Sequence, residues 1–215
     1  MGVSKIVKYL ALVTVFAAVA LADAAGITAA VQKLSKQIKG HDNALDKYDG
    51  SYLNMIPLAS SIFRGHQASR DALRAINKSD SISEDDAPEV IGAATNNLNA
   101  AKIALDRTAS KDQIADKNGM KQIGALLITH FKDEHAAIED ALKTKFPESS
   151  HAKMAGPMRA VGDQYDVVLS AGGYKVVSDC HLRLWEMIQF AVEWGVNPGQ
   201  VKDDISAPMG QIYEK

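Results

Sequence analysis

At 215 residues the chain is long enough for one domain of ordinary size, and 47% of its residues are hydrophobic, which is sufficient for a packed core. Aromatic residues make up only 6% of the chain, so alanine, leucine, isoleucine and valine must supply most of that core, a composition that favours helices over a β-sandwich. The 24 basic and 26 acidic residues are dispersed without a basic patch, which argues against nucleic acid as a partner.

Residues 1–22 have the composition of a secretory signal peptide. Lys5 and Lys8 come before a short apolar run at residues 9–21, and residues 20–22 (ALA) give a small-x-small cleavage site. The apolar run is shorter than the roughly 20 residues needed to span a bilayer, so a cleaved signal is favoured over a membrane anchor. Its removal would leave 22 basic against 26 acidic residues, and no later segment predicts a transmembrane helix or a lipid-anchor tail.

The mature sequence begins with two segments in which hydrophobic residues recur at the three- and four-residue spacing of one helix face. The first segment has His41 within its stripe and is followed by Gly50, a residue typical of helix C-termini. The second has Pro57 near its start, where proline is tolerated. The stripes consist of Ile27, Val31, Leu34, Ile38, Leu45 and Tyr48 in the first segment, and of Leu53, Ile56, Ile62, Phe63, Leu73 and Ile76 in the second.

Three further helices are predicted. Residues 77–82 form a polar loop, and residues 83–86 (SEDD) supply an N-cap and the acidic first turn of the third helix. Residues 109–119 are a longer connection to the fourth helix, which a Phe-Pro pair ends. The fifth helix, residues 150–171, contains Pro157, which should kink it or mark a broken start. The three stripes are Val90, Ala94, Leu98, Ala101 and Leu105; Ile123, Leu127, Phe131, Ile138 and Leu142; and Met154, Met158, Val161, Tyr165, Val168 and Leu169.

Five amphipathic helices joined by short loops predict an all-α, up-and-down bundle over residues 23–173, since no segment alternates with a period of two for long. Residues 174–215 are predicted to be a C-terminal extension, with a sixth helix at about 179–194 and then a loose tail. Cys180 is the only cysteine, so no intrachain disulfide can form. Burial of the core must therefore hold the exported chain together by itself.

Four helix ends follow one another in a recognisable order: residues 44–50 (ALDKYDG), 81–86 (SISEDD), 114–119 (IADKNG) and 141–147 (ALKTKFP). Together they resemble the close of helix one, the start of helix three, the linker and the close of helix four in the fungal hydrophobic surface-binding protein A family, which also includes cell-wall galactomannoproteins. The resemblance covers about residues 24–172 and departs from the family where a second glycine would follow Gly50. Residues 174–215 extend beyond the family's usual end.

The resemblance implies a secreted, non-enzymatic protein that acts at the fungal cell wall or in the extracellular space. Members of the family associate with hydrophobic surfaces and in some cases hold fatty acids between their helices. The expected partner is therefore a fatty acid or other lipid, or a hydrophobic solid surface, with cell-wall polysaccharide as a further partner. Burial of one methylene group contributes about 0.8 kcal/mol, so an acyl chain needs no polar anchor. The residues expected to face the ligand are Leu34, Ile38, His41, Leu45, Ile62, Leu98, Leu105, Leu127, Phe131 and Ile138.

Two other functions remain open. The chain could be a structural wall mannoprotein whose helices only pack a core, retained through glycans such as one on the Asn77 sequon. It could instead be a secreted effector that binds a host protein through its tryptophan-bearing extension. The role of His41 is also open: it is either a buried neutral imidazole with a hydrogen bond, or a partner for a fatty-acid carboxylate whose binding would strengthen in acid.

The six histidines and the single cysteine do not form an enzyme or metal motif. His130 and His135 are five residues apart and lie on different helix faces, so the H-E-x-x-H pattern of a zinc helix is missing. His130 and Glu134 share a face but supply only two ligands. Cys180 is next to His181, and neighbours on a helix do not face one another, while no G-x-S-x-G motif occurs. We therefore expect no catalytic residue, no metal and no cofactor.

Overall fold

The computed structural model describes residues 3–171, with side chains from residue 24 onward apart from those of residues 52 and 122. This part of the chain contains helices and no strand, which confirms the predicted all-α fold. The predicted C-terminal helix at 179–194 and Cys180 lie outside the described residues. The helices are α1 (Val3–Lys47), α2 (Tyr52–Lys78), α3 (Ala87–Ser110), α4 (Asp112–Lys117), α5 (Lys121–Lys145) and α6 (Glu148–Ala171).

The first helix is continuous from the predicted signal segment into the bundle. Residues 3–22 form its N-terminal half, and the role of residues 1–22 as a signal peptide stays a prediction. Among the helices of residues 3–171, none combines the length and hydrophobicity that a bilayer crossing requires.

Five long helices close into a ring in the order α1, α2, α5, α6, α3, and α4 is a short link between α3 and α5. Lys33 on α1 pairs with Asp71 on α2, whereas His41, further along α1, meets Ser61, nearer the start of α2. These two contacts make α1 and α2 antiparallel. The remaining connections are short and also reverse the chain, so consecutive long helices alternate in direction, as the sequence predicts.

The core lies inside the ring and is built mainly from the predicted stripes. Two stripe residues are instead exposed rather than buried: Leu53 has 78% of its surface exposed and Ile56 has 45%. The inward face of α2 passes through Met55, Leu58 and Ile62, so the predicted stripe was out of phase over the first two turns of this helix. The largest fully buried side chains are those of Ile27, Val31, Ile76 and Val90.

The predicted connection over residues 109–119 is mostly helical, which corrects the sequence-based assignment. Helix α3 continues to Ser110, and the short helix α4 follows it.

Gly50, which was expected to end the first helix, comes three residues after Lys47 and has a φ of 89°. Glycine adopts this left-handed conformation at no steric cost, so the chain turns there from α1 into α2.

The sequence-based assignment also placed the start of the third helix too early. Ser83 accepts a hydrogen bond from the backbone N–H of Asp86 at its hydroxyl oxygen, but these residues form a turn, and α3 begins at Ala87. Pro88 explains the shift, because it has no N–H to donate to the carbonyl group of residue 84. A helix that began at residue 84 would lose that bond, whereas proline in the first turn of α3 loses none.

Proline at position 157 does not break the last described helix. Helix α6 runs without interruption from Glu148 to Ala171, which contradicts the expected broken start. Lys153, whose carbonyl group would accept from the missing proline N–H, is exposed, and so is Gly156. Water can therefore bond to that carbonyl group in place of the helix.

Candidate functional site

A cavity of about 190 Å³ lies inside the ring, between α1, α2, α3 and α5. Its wall is mainly aliphatic, and its polar side chains are few. An engineered apolar cavity of about 150 Å³ in another protein stays free of water and admits benzene, so a cavity of this size and lining suits an apolar guest better than water. Ligand sites in bundles commonly occur in such a position between helices.

Nine of the ten residues expected to face a ligand line this cavity. They are Leu34, Ile38, His41 and Leu45 on α1, Ile62 on α2, Leu105 on α3, and Leu127, Phe131 and Ile138 on α5. Leu98 instead lines a separate space of about 20 Å³, where it is accompanied by Val31 and Met158. The contact of these residues with a ligand stays a prediction.

Small residues open the space between these aliphatic side chains. Gly65 on α2, Ala101 and Ala104 on α3, and Gly124 on α5 all line the cavity. A Cβ atom built on Gly124 would meet nothing within 4 Å, and one built on Gly65 would only touch the ring of Phe131 at 3.8 Å. The predicted stripes include Ala101 but not Gly65, Ala104 or Gly124, because they follow mainly the large hydrophobic residues; small residues on the same helix faces were the available signal.

His41 is held in one tautomer by the wall of the cavity. The Ser61 hydroxyl donates its single proton to the carbonyl oxygen of Leu58 at 2.6 Å, so His41 must donate from Nδ1 to the Ser61 oxygen, 2.9 Å away. Burial lowers the pKa of His41 from 6.5 to about 4, against the opposing effect of Asp42. The imidazole is therefore neutral near pH 7 and can only accept a hydrogen bond at Nε2.

The other polar groups deep in the cavity are also uncharged at neutral pH. His135 and Tyr165 both line it, with ring centroids 6.0 Å apart. Burial lowers the pKa of His135, opposed by Glu139, while burial and then the charge of Glu134 raise the pKa of Tyr165. The interior thus offers hydrogen-bonding groups without a fixed charge.

Within the described part of the chain, full charges border the cavity only at the end where α1 stops. Among the described residues that line it, Lys111 and Asp112 are the ones charged at neutral pH. The ammonium group of Lys111 donates to the backbone carbonyl oxygens of Asp46 at 3.0 Å and Tyr48 at 2.9 Å. Lys111 thereby caps the C-terminal end of α1. The cavity is therefore apolar inside, and one end carries the ammonium group of Lys111 together with the carboxylate of Asp112, which pairs with Lys121 at 3.5 Å.

Comparison with known proteins identifies the sequence family. The sequence model of the hydrophobic surface binding protein A family matches residues 24–144, more than half of the chain. This stretch runs from the part of α1 after the predicted signal peptide almost to the end of α5. No curated protein gives a significant match.

Several solved structures have the same fold as this chain. The structure of Afmp4p in complex with palmitic acid has a TM-score of 0.67 at 13% identity and covers 69% of this chain and 99% of that one. Ligand binding domain 1 of the Penicillium marneffei MP1 protein, complexed with arachidonic acids, has a TM-score of 0.65 at 12% identity, with coverage of 70% and 98%. Domain 2 of that protein, complexed with multiple arachidonic acids, gives a TM-score of 0.65 at 12% identity, with coverage of 70% and 96%.

Proposed function

Since this chain belongs to the hydrophobic surface binding protein A family, we propose that it is a secreted, non-enzymatic protein that binds a fatty acid in the cavity inside its helix ring. The observation that carries the proposal is the cavity, whose wall is aliphatic and whose interior polar groups are neutral. The fatty acids bound in three structures of the same fold support this class of ligand.

Burial of methylene groups is sufficient to bind an acyl chain in this cavity. Each buried methylene contributes about 0.8 kcal/mol, so eight buried methylenes contribute about 6 kcal/mol before the losses of translational and rotational freedom. A linear chain can thread between the aliphatic side chains that the small residues keep apart. It needs no polar contact inside the ring, which agrees with the neutral interior.

The carboxylate of this ligand is best placed at the Lys111 end of the cavity. Two of the three ammonium N–H groups of Lys111 bond to the carbonyl oxygens at the end of α1, which leaves one donor for an anion. His41 is a poorer partner for a carboxylate, because burial keeps its imidazole neutral above a pH of about 4. The acid-strengthened binding expected for a contact with His41 would therefore need a pH near 4 rather than 6.5.

A second candidate function, adsorption to a hydrophobic solid surface, is favoured by the exposed residues Leu53 and Ile56. They lie in the first two turns of α2, beside Met55 and Leu58, which face the cavity. An apolar patch at this end of the bundle would contact a wax or polymer without any opening of the ring.

Export and retention at the wall also belong to the proposal. Residues 1–22 supply the export signal. Asn77 is exposed in the last turn of α2, where a glycan would meet solvent, although the hydroxyl of Ser79 in the same sequon donates to the carbonyl oxygen of Ala75. A contact with wall polysaccharide, a purely structural wall role, and an effector role for residues 174–215 have less support from the described residues than lipid binding.

Lipid that copurifies with the secreted protein tests the proposal. Organic extraction of the natively purified, full mature chain, followed by mass spectrometry, should release fatty acids in near-stoichiometric amounts. Protein denatured and washed before extraction serves as the control for surface carry-over. Extracts without fatty acid, from protein that also fails to take up added palmitate, would contradict it.

A further inference from the structure

Two histidines and a glutamate meet at the seam between α2 and α5. The Nδ1 atom of His66 lies 2.5 Å from Oε1 of Glu134 and 3.1 Å from Nε2 of His130. The third separation, between His130 Nε2 and Glu134 Oε1, is 3.3 Å. One potential ligand atom from each of the three side chains therefore converges on the same small volume.

The spacing of residues along the chain reveals only two members of this cluster. His130 and Glu134 are four residues apart on α5 and share a helix face, whereas His66 comes from α2, 64 positions before His130. The fold thus adds the third donor that the count of ligands on one helix did not include.

We propose that His66, His130 and Glu134 bind one divalent transition-metal ion of the zinc class at the α2–α5 seam. Zinc bonds of about 2.0–2.2 Å to nitrogen and oxygen place the ligand atoms of a tetrahedral site roughly 3.3 Å apart. Two of the three separations already have about that length. The remaining one, between His66 and Glu134, is a hydrogen bond that opens when the ion replaces the shared proton.

The unmet bonding capacity of Glu134 supports a cation at this position. Only 11% of its side chain is exposed, and among the described residues Oε2 is buried without a hydrogen-bond partner. Oε1 is the oxygen that converges with the two histidine nitrogens, and a cation bound there neutralises the buried carboxylate and offsets part of the free-energy cost of burying it. The two histidine side chains are 18% and 19% exposed, so an ion and a fourth, water ligand can reach them from solvent.

The charges around the cluster act in opposite directions. Asp133, on the same helix, favours positive charge at His130, and Arg70, on α2, disfavours it. Because these two effects oppose each other at His130, the carboxylate of Glu134 is the anion that favours a bound cation in the cluster. The site has three protein ligands, a set that suits zinc and leaves its fourth position open.

The site lies behind the wall of the cavity. The ring of His130 is 5.9 Å from that of Phe131, which lines the cavity, and Gly65, immediately before His66, lines it from α2. An ion here would fix α2 against α5 beside the proposed acyl chain. The metal proposal does not depend on lipid binding, because none of its three ligands lines the cavity.

Calorimetric titration of the chelator-treated mature chain with zinc chloride tests the proposal. We expect one ion per chain, a zinc-dependent rise in melting temperature, and at least a 100-fold loss of affinity in His66→Gln and in Glu134→Gln. His151→Gln, which changes an exposed histidine on α6, should bind zinc as the wild type does. Equal zinc affinity in the wild type and in His66→Gln would overturn the proposal.

Cobalt keeps the test decisive if a variant fails to fold. Titration of the wild-type chain with cobalt(II) chloride should produce the intense visible absorption of a tetrahedral site, and one equivalent of zinc should abolish it. Circular dichroism of each variant shows whether it is folded. A wild-type cobalt spectrum identical to that of the hydrated ion would overturn the proposal independently of any substitution.

Discussion

The Nδ1 atom of His41 on α1 lies 2.9 Å from the hydroxyl oxygen of Ser61 on α2, and the imidazole is the donor in this hydrogen bond. The contact joins two helices across the wall of the cavity and holds a neutral ring there. Because burial is the main cause of the lowered pKa of His41, protonation of this ring must oppose folding.

The His41 contact predicts a specific loss of stability in acid. The pKa of His41 is about 4 in the folded chain and near 6.5 when unfolded, so the unfolded state binds the extra proton first and stability falls as pH decreases from 6.5 to 4. The contribution of this residue is at most about 3 kcal/mol. Urea unfolding of the wild type and of His41→Gln between pH 7 and pH 4 should show a shallower decline in the variant.

The matched control is His151→Gln, in which an exposed histidine is replaced. Its pH profile should run parallel to that of the wild type, displaced only by the loss of the contact between His151 Nε2 and the carbonyl oxygen of Phe146 at 3.2 Å. Parallel pH profiles for the wild type and His41→Gln would show that the folded chain already accommodates a charged ring at position 41.

The left-handed turn at Gly50 predicts a local loss of stability on substitution by alanine. Gly50 has a φ of 89°, and a Cβ atom there would lie 2.5 Å from Nδ2 of Asn118 and 3.1 Å from Cγ2 of Ile114. Asn118 would have to move, which breaks its hydrogen bond to the carbonyl oxygen of Ile114. Gly50→Ala should lower the free energy of unfolding by about 2 kcal/mol, measured in urea.

The Gly119→Ala variant separates the cost of a positive φ from the cost of the steric contact with Asn118. Gly119 also has a positive φ, 68°, but a Cβ atom there would meet nothing within 4 Å. We expect this variant to lose only about 1 kcal/mol, the backbone contribution. Equal losses at the two glycines would contradict the steric contact with Asn118.

The exposed pair Leu53 and Ile56 predicts adsorption to apolar solids. Replacing both with serine should reduce the amount of protein retained on polystyrene several-fold, since the patch that contacts the solid is removed. Melting temperature should fall only slightly, because Leu53 is 78% exposed and only part of Ile56 is buried. Ile103→Ser with Val167→Ser, which changes exposed residues on α3 and α6, is the control and should keep adsorption. Full retention of the Leu53, Ile56 variant would exclude this patch.

The position of Lys111 predicts selectivity for the charged end of the ligand. Lys111→Met should weaken binding of palmitate about fivefold, the effect of one partly exposed charge contact. Binding of hexadecanol, which has the same chain without the charge, should not change. Lys117→Met, which changes an exposed lysine on α4 outside the cavity, should bind both as the wild type does. Equal weakening for the acid and the alcohol would place the carboxylate elsewhere.

The sequence predicted the bundle because helical periodicity is a local property. Ile27 and Val31 are four residues apart, both belong to the stripe of the first helix, and both are fully buried. The same reasoning failed at Leu53 and Ile56. A short apolar run at the start of a helix is compatible with two different inward faces, and only contacts with other helices determine which face is buried. Pro88 was the available signal for the later start of α3, but a proline alone does not fix a helix start, since α2 and α6 each contain a proline in their interior.

The candidate site was less accessible to sequence reasoning. Large stripe residues such as Ile38 and Phe131 line the cavity, but the space itself depends on small residues from different helices, such as Ala104 and Gly124, that line it as well. The approach of His66 to His130 also depends on packing between helices, 64 residues apart in the chain. Neither relationship leaves a periodic signal in the sequence.

Filling the cavity tests the central claim most directly. Gly124→Leu places a side chain into the open space at a cavity-lining position, while Gly92→Leu makes the same change at an exposed position on α3. Both replace a helix-interior glycine with a better helix former, so neither should lower stability.

The measurement is a titration of delipidated wild type, Gly124→Leu and Gly92→Leu with a fluorescent fatty acid, with displacement by palmitate. The wild type and Gly92→Leu should bind it saturably and release it to palmitate, and a folded Gly124→Leu should lose at least tenfold in affinity. Equal binding by all three proteins, or no binding by the wild type, would contradict a fatty-acid site inside the helix ring.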